Sequence, residues 1–143
     1  KRTDTTINLF IDKLDKSGVG ISLMQNENIC IVPYTLPGER IKANIINKFK
    51  LKMYCSSLEI LENSPERSKN TCKHFTKCGG CLLQHWQYEN YKQWKFNLIR
   101  QPLLKFAPDI KTLDMISTEN FSRRRAKFFL RQNNNSFRIY YDT

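Results

Sequence analysis

Three cysteines fall within ten residues, as Cys72-x5-Cys78-Gly79-Gly80-Cys81. No other feature restricts the folding of this chain so much. Three thiols this close can face one inorganic centre only if the backbone between them turns tightly. Gly79 and Gly80 permit that turn, because glycine reaches backbone angles that other residues avoid. Five cysteines in all make an awkward disulfide set for a secreted chain, and read as metal binding in a cytosolic one. The expected location is therefore cytoplasmic.

Softness does not choose the metal, since thiolates suit iron–sulfur clusters and zinc alike. A Cys3His zinc site is completed by His74 or His85; His85 lies four residues after Cys81 and would face it from a first helical turn. An iron–sulfur cluster needs a fourth ligand, usually cysteine. Cys30 and Cys55 are candidates in principle, but both sit in apolar runs where a lone cysteine reads as a small core hydrophobe. A disulfide pair is the remaining possibility.

The residues before the cysteines read as strands. Thr5–Lys13, Val19–Met24, Ile29–Pro33, Ile41–Phe49 and Cys55–Leu61 are short apolar or alternating runs. Turn signals separate them, among them Asp15-Lys16-Ser17-Gly18 and Leu36-Pro37-Gly38-Glu39. Five short strands with close turns predict a small barrel of the oligonucleotide-binding (OB) kind. A polar linker over Asn63–Ser68 ends it, so residues 1–66 are expected to form one domain and 67–143 a second. After the cysteines, aromatic and apolar residues at helical spacing predict a helix from Gln84 to Gln101, with Pro102 kinking or stopping it. Thr112–Ser117 and Ala126–Gln132 read as strands, Asn133–Ser136 as a hairpin turn, and Phe137–Tyr141 as the return strand. The fold class is thus mainly β with some α.

The formal net charge is +11. Residues 1–71 hold 11 Lys/Arg against 8 Asp/Glu, and residues 72–143 hold 13 against 5. Basic charge of this kind favours a polyanion through counterion release. The densest run is Arg123, Arg124, Arg125, Lys127 and Arg131, interleaved with Phe121, Phe128 and Phe129. Arginine forks suit phosphate, and the phenylalanines offer faces on which unpaired bases can stack. Lys42, Lys48, Lys50 and Lys52 make a second basic stripe on the barrel, equally readable as a solvated strand face. Trp86, Tyr91 and Trp94 read as core rather than as base platforms. No window holds the ~18 apolar residues of a membrane span, and no signal peptide is visible. The expected partner is RNA, with no membrane, and the expected state is a monomer. The chain begins at Lys1 rather than Met and stops just after a β-like run, so both ends read as cut.

The run from Cys72 to Trp86 resembles the [4Fe–4S] segment of bacterial RNA (uracil-5-)-methyltransferases of the RumA/RlmD type. Upstream, Leu36-Pro37-Gly38-Glu39-Arg40 and Ser64-Pro65-Glu66-Arg67 resemble the TRAM domain of those enzymes. Downstream, Ser122-Arg123-Arg124-Arg125-Ala126-Lys127-Phe128 is similar to the arginine block that opens their central domain. The three blocks occur in the family's order and span nearly the whole chain. The resemblance implies that Cys72, Cys78 and Cys81 ligate a [4Fe–4S] cluster whose fourth cysteine lies further along the central domain. It implies ribosomal RNA as substrate, and S-adenosylmethionine only in the full-length enzyme. No cysteine follows Cys81, and neither an Asp-Pro-Pro-Arg-like nor a Ser-Cys-Asn-Pro-like motif is present. The family's chemistry, attack of a cysteine on carbon 6 of uracil and methyl transfer to carbon 5, is therefore expected on another part of the enzyme, with no catalytic residue here. The alternative is a free-standing RNA-binding module with a zinc site or no metal.

Overall fold

A computed structural model describes residues 5–118, 122, 124, 125, 127–133 and 136–141. It divides the chain into two compact units, Lys1–Thr71 with Leu82–Gln87, and Cys72–Cys81 with Tyr88–Thr143.

The first unit is a curled six-stranded sheet. Its strands are β1 (Thr6–Phe10), β2 (Lys13–Leu14), β3 (Gly20–Leu23), β4 (Ile29–Val32), β5 (Arg40–Phe49) and β6 (Lys52–Glu62). Their order is β1-β5-β6-β4-β3-β2, all antiparallel except the parallel pair β4 and β6. The two edges of this sheet, β1 and β2, are separated by two residues only. The Ile11 N–H bonds the Glu39 carbonyl beside β5, while the Asp12 N–H bonds the Ile21 carbonyl in β3, both at 2.9 Å. One N-terminal strand thus serves both edges, and the sheet has to curl to let it. Counted that way there are five strands, and the third pairs in parallel with the fifth, which is the arrangement of an OB-like barrel. Register shifts between Arg40/Ile41, Lys42/Ala43 and Ile45/Asn47 mark bulges that bend the long β5–β6 ribbon around the barrel.

Alternation fills the interior. Ile41 and Ala43 of β5 point in while Arg40 and Lys42 point out, and Met53 and Cys55 of β6 do the same. They pack with Leu9, Ile11, Cys30 and Val32 into one core. Burying a large aliphatic side chain of this kind contributes roughly 1.5–3 kcal/mol. Gly20 is required by space, because a Cβ there would lie 2.0 Å from Thr35 Oγ1. Asp15 shapes the first turn by accepting the Ser17 and Val19 N–H groups, both at 2.9 Å.

The five strands expected in the barrel all appear, with shifted bounds. Thr5–Lys13 splits into β1 and β2 at the barrel's seam. The turn into the last strand falls at Lys50 and Leu51, where Lys50 takes φ 53°, so that strand starts at Lys52. The proposed stripe lysines 42, 48, 50 and 52 are all exposed.

In the second unit a helix, α1, runs over Tyr88–Phe106. It begins four residues later than the sequence predicts, because residues 85–87 are bonded to residues 65–68 instead. It also passes through Pro102, which removes one backbone donor near the end without stopping the helix. Tyr91 and Trp94 are half-buried and stacked at 6.5 Å, whereas Trp86 is buried in the first unit. Residues 112–117 form no strand; Leu113 and Ile116 are exposed. The expected hairpin is present as β7 (Phe128–Asn133) and β8 (Ser136–Tyr141). No described helix is long and apolar enough to cross a membrane.

Candidate metal centre and nucleic-acid interface

The cysteine loop is a succession of tight turns. The Phe75 N–H donates to the Cys72 carbonyl at 3.1 Å, and the Lys77 and Cys78 N–H groups both donate to the His74 carbonyl, at 3.0 and 3.1 Å. Thr76 and Gly79 take left-handed angles, φ 68° and 75°. Gly79 thus plays the part its position suggests. The His74 N–H points at Cys72 Sγ, 3.4 Å away. Cys78 and Cys81 are exposed and Cys72 is half-buried. The loop therefore fits a thiolate-bound group in donor type and access. Among the described residues, however, no three His, Cys, Asp or Glu side chains stand close enough to hold a metal ion. Ligation of a single centre requires the loop to draw its sulfurs together.

The other candidate ligands are placed differently. His74 is exposed on the loop. His85 is not in a first helical turn, since α1 begins at Tyr88; it is fully buried in the first unit. Burial pushes its imidazole down to about 4, with the nearby Arg67 charge adding to the shift and Glu39 and the Thr35 backbone opposing it. It is therefore neutral near pH 7. Cys30 and Cys55 are core residues, as their strand positions suggest. Burial first, then the neighbouring Cys55, pushes the Cys30 thiol up to about 12.

Around His85 lies a set of interactions that sequence reasoning did not assign. Pro37 and Gly38 make a tight turn, with Gly38 at φ 83° and the Glu39 N–H reaching the Leu36 carbonyl. The turn folds the fully buried Glu39 carboxylate back onto the Leu36 N–H at 2.9 Å. Arg67 completes it with a two-pronged grip. Its Nε donates to Glu39 Oε1, and its Nη2 donates to Glu39 Oε2 at 2.9 Å and to the Tyr34 carbonyl at 3.0 Å. Residues 66–68 then pair antiparallel with 85–87. The Ser68 N–H donates to the His85 carbonyl at 2.8 Å, and the Gln87 N–H donates to the Glu66 carbonyl at 2.9 Å. The indole N–H of Trp86 reaches the Glu66 carboxylate at 2.6 Å. These bonds are why the chain is not yet helical at residue 84. The one available sequence signal was that Glu39 and Arg67 each close a Pro-containing turn block.

The basic run is only partly described: Arg123 lies outside the described residues. Arg124, Arg125 and Lys127 are exposed and precede β7. Arg131 is in β7, directly opposite Arg138 of β8. Arg138, missed in the sequence, becomes visible once the hairpin register is known. Like charges facing across a ladder repel, and an anion between them relieves that. Phe129, two residues from Arg131 and so on the same face, has the Lys127 ammonium 5.3 Å from its ring centre. The opposite face exposes Phe128, Leu130, Phe137 and Ile139 beside Gln132. At the β5–β6 tip, Phe49 is exposed with Lys50 over its ring at 5.6 Å.

No family model matches the chain. Curated relatives do. An uncharacterised RNA methyltransferase of Brucella melitensis is 36% identical over 124 residues, covering 87% of this chain and 28% of the relative. An RNA methyltransferase of Clostridium tetani, also uncharacterised, is 32% identical over 88% of this chain and 27% of the relative. The 23S rRNA (uracil(1939)-C(5))-methyltransferase RlmD of Shewanella denitrificans is 28% identical over 94% of this chain and 30% of the relative. Over the segment it shares with them, the chain belongs to the RNA methyltransferase family. Within that family it is of the RumA/RlmD type. It spans less than a third of the length of these curated relatives.

Proposed function

We propose that the chain is the N-terminal RNA-recognition and iron–sulfur portion of an S-adenosylmethionine-dependent RNA (uracil-5-)-methyltransferase acting on ribosomal RNA in the cytoplasm. Residues 1–66 are the TRAM-like barrel; residues 67–143 carry the cluster loop, α1 and the opening of the central domain. Cys72, Cys78 and Cys81 supply three thiolates to a [4Fe–4S] cluster. Such a cluster, when bound, ties the loop to the segment that provides its fourth ligand. S-adenosylmethionine and the cysteine nucleophile belong to the part of the enzyme beyond this segment. The RNA-binding reading is carried by one observation above all, the facing pair Arg131 and Arg138 beside Phe129 and Lys127.

Two expected results test this. Protein purified without oxygen should be brown and contain iron and sulfide, and Cys78→Ser or Cys81→Ser should abolish both. A colourless wild-type sample with stoichiometric zinc defeats the cluster. For RNA, the double change Arg131→Ala with Arg138→Ala should weaken binding of an unstructured oligoribonucleotide. It should also flatten the slope of log affinity against log salt by about 0.7 for each phosphate that is no longer neutralised. Fluorescence anisotropy across a salt series measures it, and an unaltered slope removes the hairpin from the interface.

A further inference from the structure

The loop that carries the cysteines leaves the barrel after Ser68 and returns at His85. Both strands of that root are fastened to each other and to the barrel. Backbone bonds link Ser68 to His85 and Gln87 to Glu66, and side-chain bonds link Trp86 to Glu66 and Gln87 to the Pro65 carbonyl, the last at 2.8 Å. Arg67, in the middle of the outgoing strand, is held by the buried Glu39 and by the Tyr34 carbonyl. Just before the root closes, Leu82 and Leu83 pack on the turn at Gly18. That residue has φ 88°, and a Cβ there would lie 2.9 Å from Leu83 Cδ1.

A buried ion pair is poor evidence for stability as such, since well-packed apolar residues often do as well in its place. What a forked, fully directional pair provides is register between chain segments far apart in sequence. Here it joins the turn at 36–39 to the outgoing strand at 67, and through that strand to the returning strand at 85–87.

We infer that Glu39 and Arg67, with Trp86 and Glu66, are positioning residues for the cysteine loop. They latch its root to the barrel, so that the ends of the segment holding Cys72, Cys78 and Cys81 are fixed before any cluster binds. The latch is a property of the chain alone; its value for cluster retention rests on the proposed cluster.

The test uses two variants with two readouts: Trp86→Phe keeps an aromatic ring but removes the indole donor, and Arg67→Lys keeps the charge but removes the fork. In reduced, metal-free protein, amide exchange at Ser68 and Gln87 should quicken about tenfold in each variant, as expected for losing a hydrogen bond to a charged group. Exchange in β5 and β6 should stay as in wild type, which separates the latch from general destabilisation. In protein reconstituted with iron and sulfide, the lifetime of the visible absorbance under a fixed chelator concentration should shorten about tenfold. The surface change Lys42→Gln should leave that lifetime unaltered. Unchanged exchange at Ser68 and Gln87 in both variants, or quickening equal to that of β5 and β6, overturns the latch. Faster local exchange with an unchanged cluster lifetime overturns the positioning role. A wild-type protein that takes up no cluster overturns that role together with the cluster reading, while exchange still decides the latch.

Discussion

Replacing Glu39 with alanine should lower the unfolding free energy of the barrel by about 3–5 kcal/mol, the usual result of stranding one partner of a buried ion pair. The Glu39 side chain is completely buried and that of Arg67 is 18% exposed. Without the carboxylate, the guanidinium keeps the Tyr34 carbonyl but is deprived of its counter-charge, and the Leu36 N–H is left without this acceptor. Partial exposure of Arg67 places the effect toward the lower end. Changing Glu39 and Arg67 together to leucine and methionine should recover most of the stability, because neither charge then remains buried alone. Urea unfolding followed by tryptophan fluorescence reports the event directly, since the buried Trp86 sits beside Glu66, the neighbour of Arg67 in the chain. A decrease below about 1 kcal/mol, typical of a solvent-exposed pair, would contradict the geometry.

The five thiols should divide sharply in their reactivity. Cys30 and Cys55 are buried, and Cys30 is pushed up to about 12. Burial also pushes Cys55 up, against a hydrogen bond from Cys30 that lowers it. Only a thiolate is alkylated, so Cys30 should react on the order of a thousandfold more slowly than an ordinary thiol, before its inaccessibility is counted. Iodoacetamide at mildly alkaline pH, with intact mass as readout, should therefore label three cysteines quickly in metal-free folded protein. All five should be labelled in denaturant. Rapid labelling of a fourth thiol in the folded state would mean that the barrel core opens, and would restore Cys30 or Cys55 as an available ligand.

The barrel is legible in the sequence because its signals are local. Ile41, Lys42 and Ala43 alternate as a half-buried strand must, and Pro37-Gly38 can hardly be anything but a turn. The misreadings also have local reasons. Lys50 adopts a left-handed angle that its side chain does not advertise. Trp86 falls on a helical spacing, yet its indole and its neighbours are claimed by Glu66. The cysteine loop is legible as a set of donors, but their convergence is not, because it depends on backbone angles and on the bound group. Glu39 and Arg67 are least visible of all. A pair 28 residues apart leaves no periodic trace, and only the fold brings the two together.

The single N-terminal strand that serves both edges of the barrel also dictates an order of events during synthesis. Thr6 pairs with Asn44, and Phe10 with Arg40. The first strand of the barrel to leave the ribosome must wait, unpaired along one side, until β5 has followed it out. Closing so distant a pairing makes barrel assembly slow beside the formation of a local helix. In that interval Thr6–Phe10 is an open edge, available to the same strand of a second nascent chain.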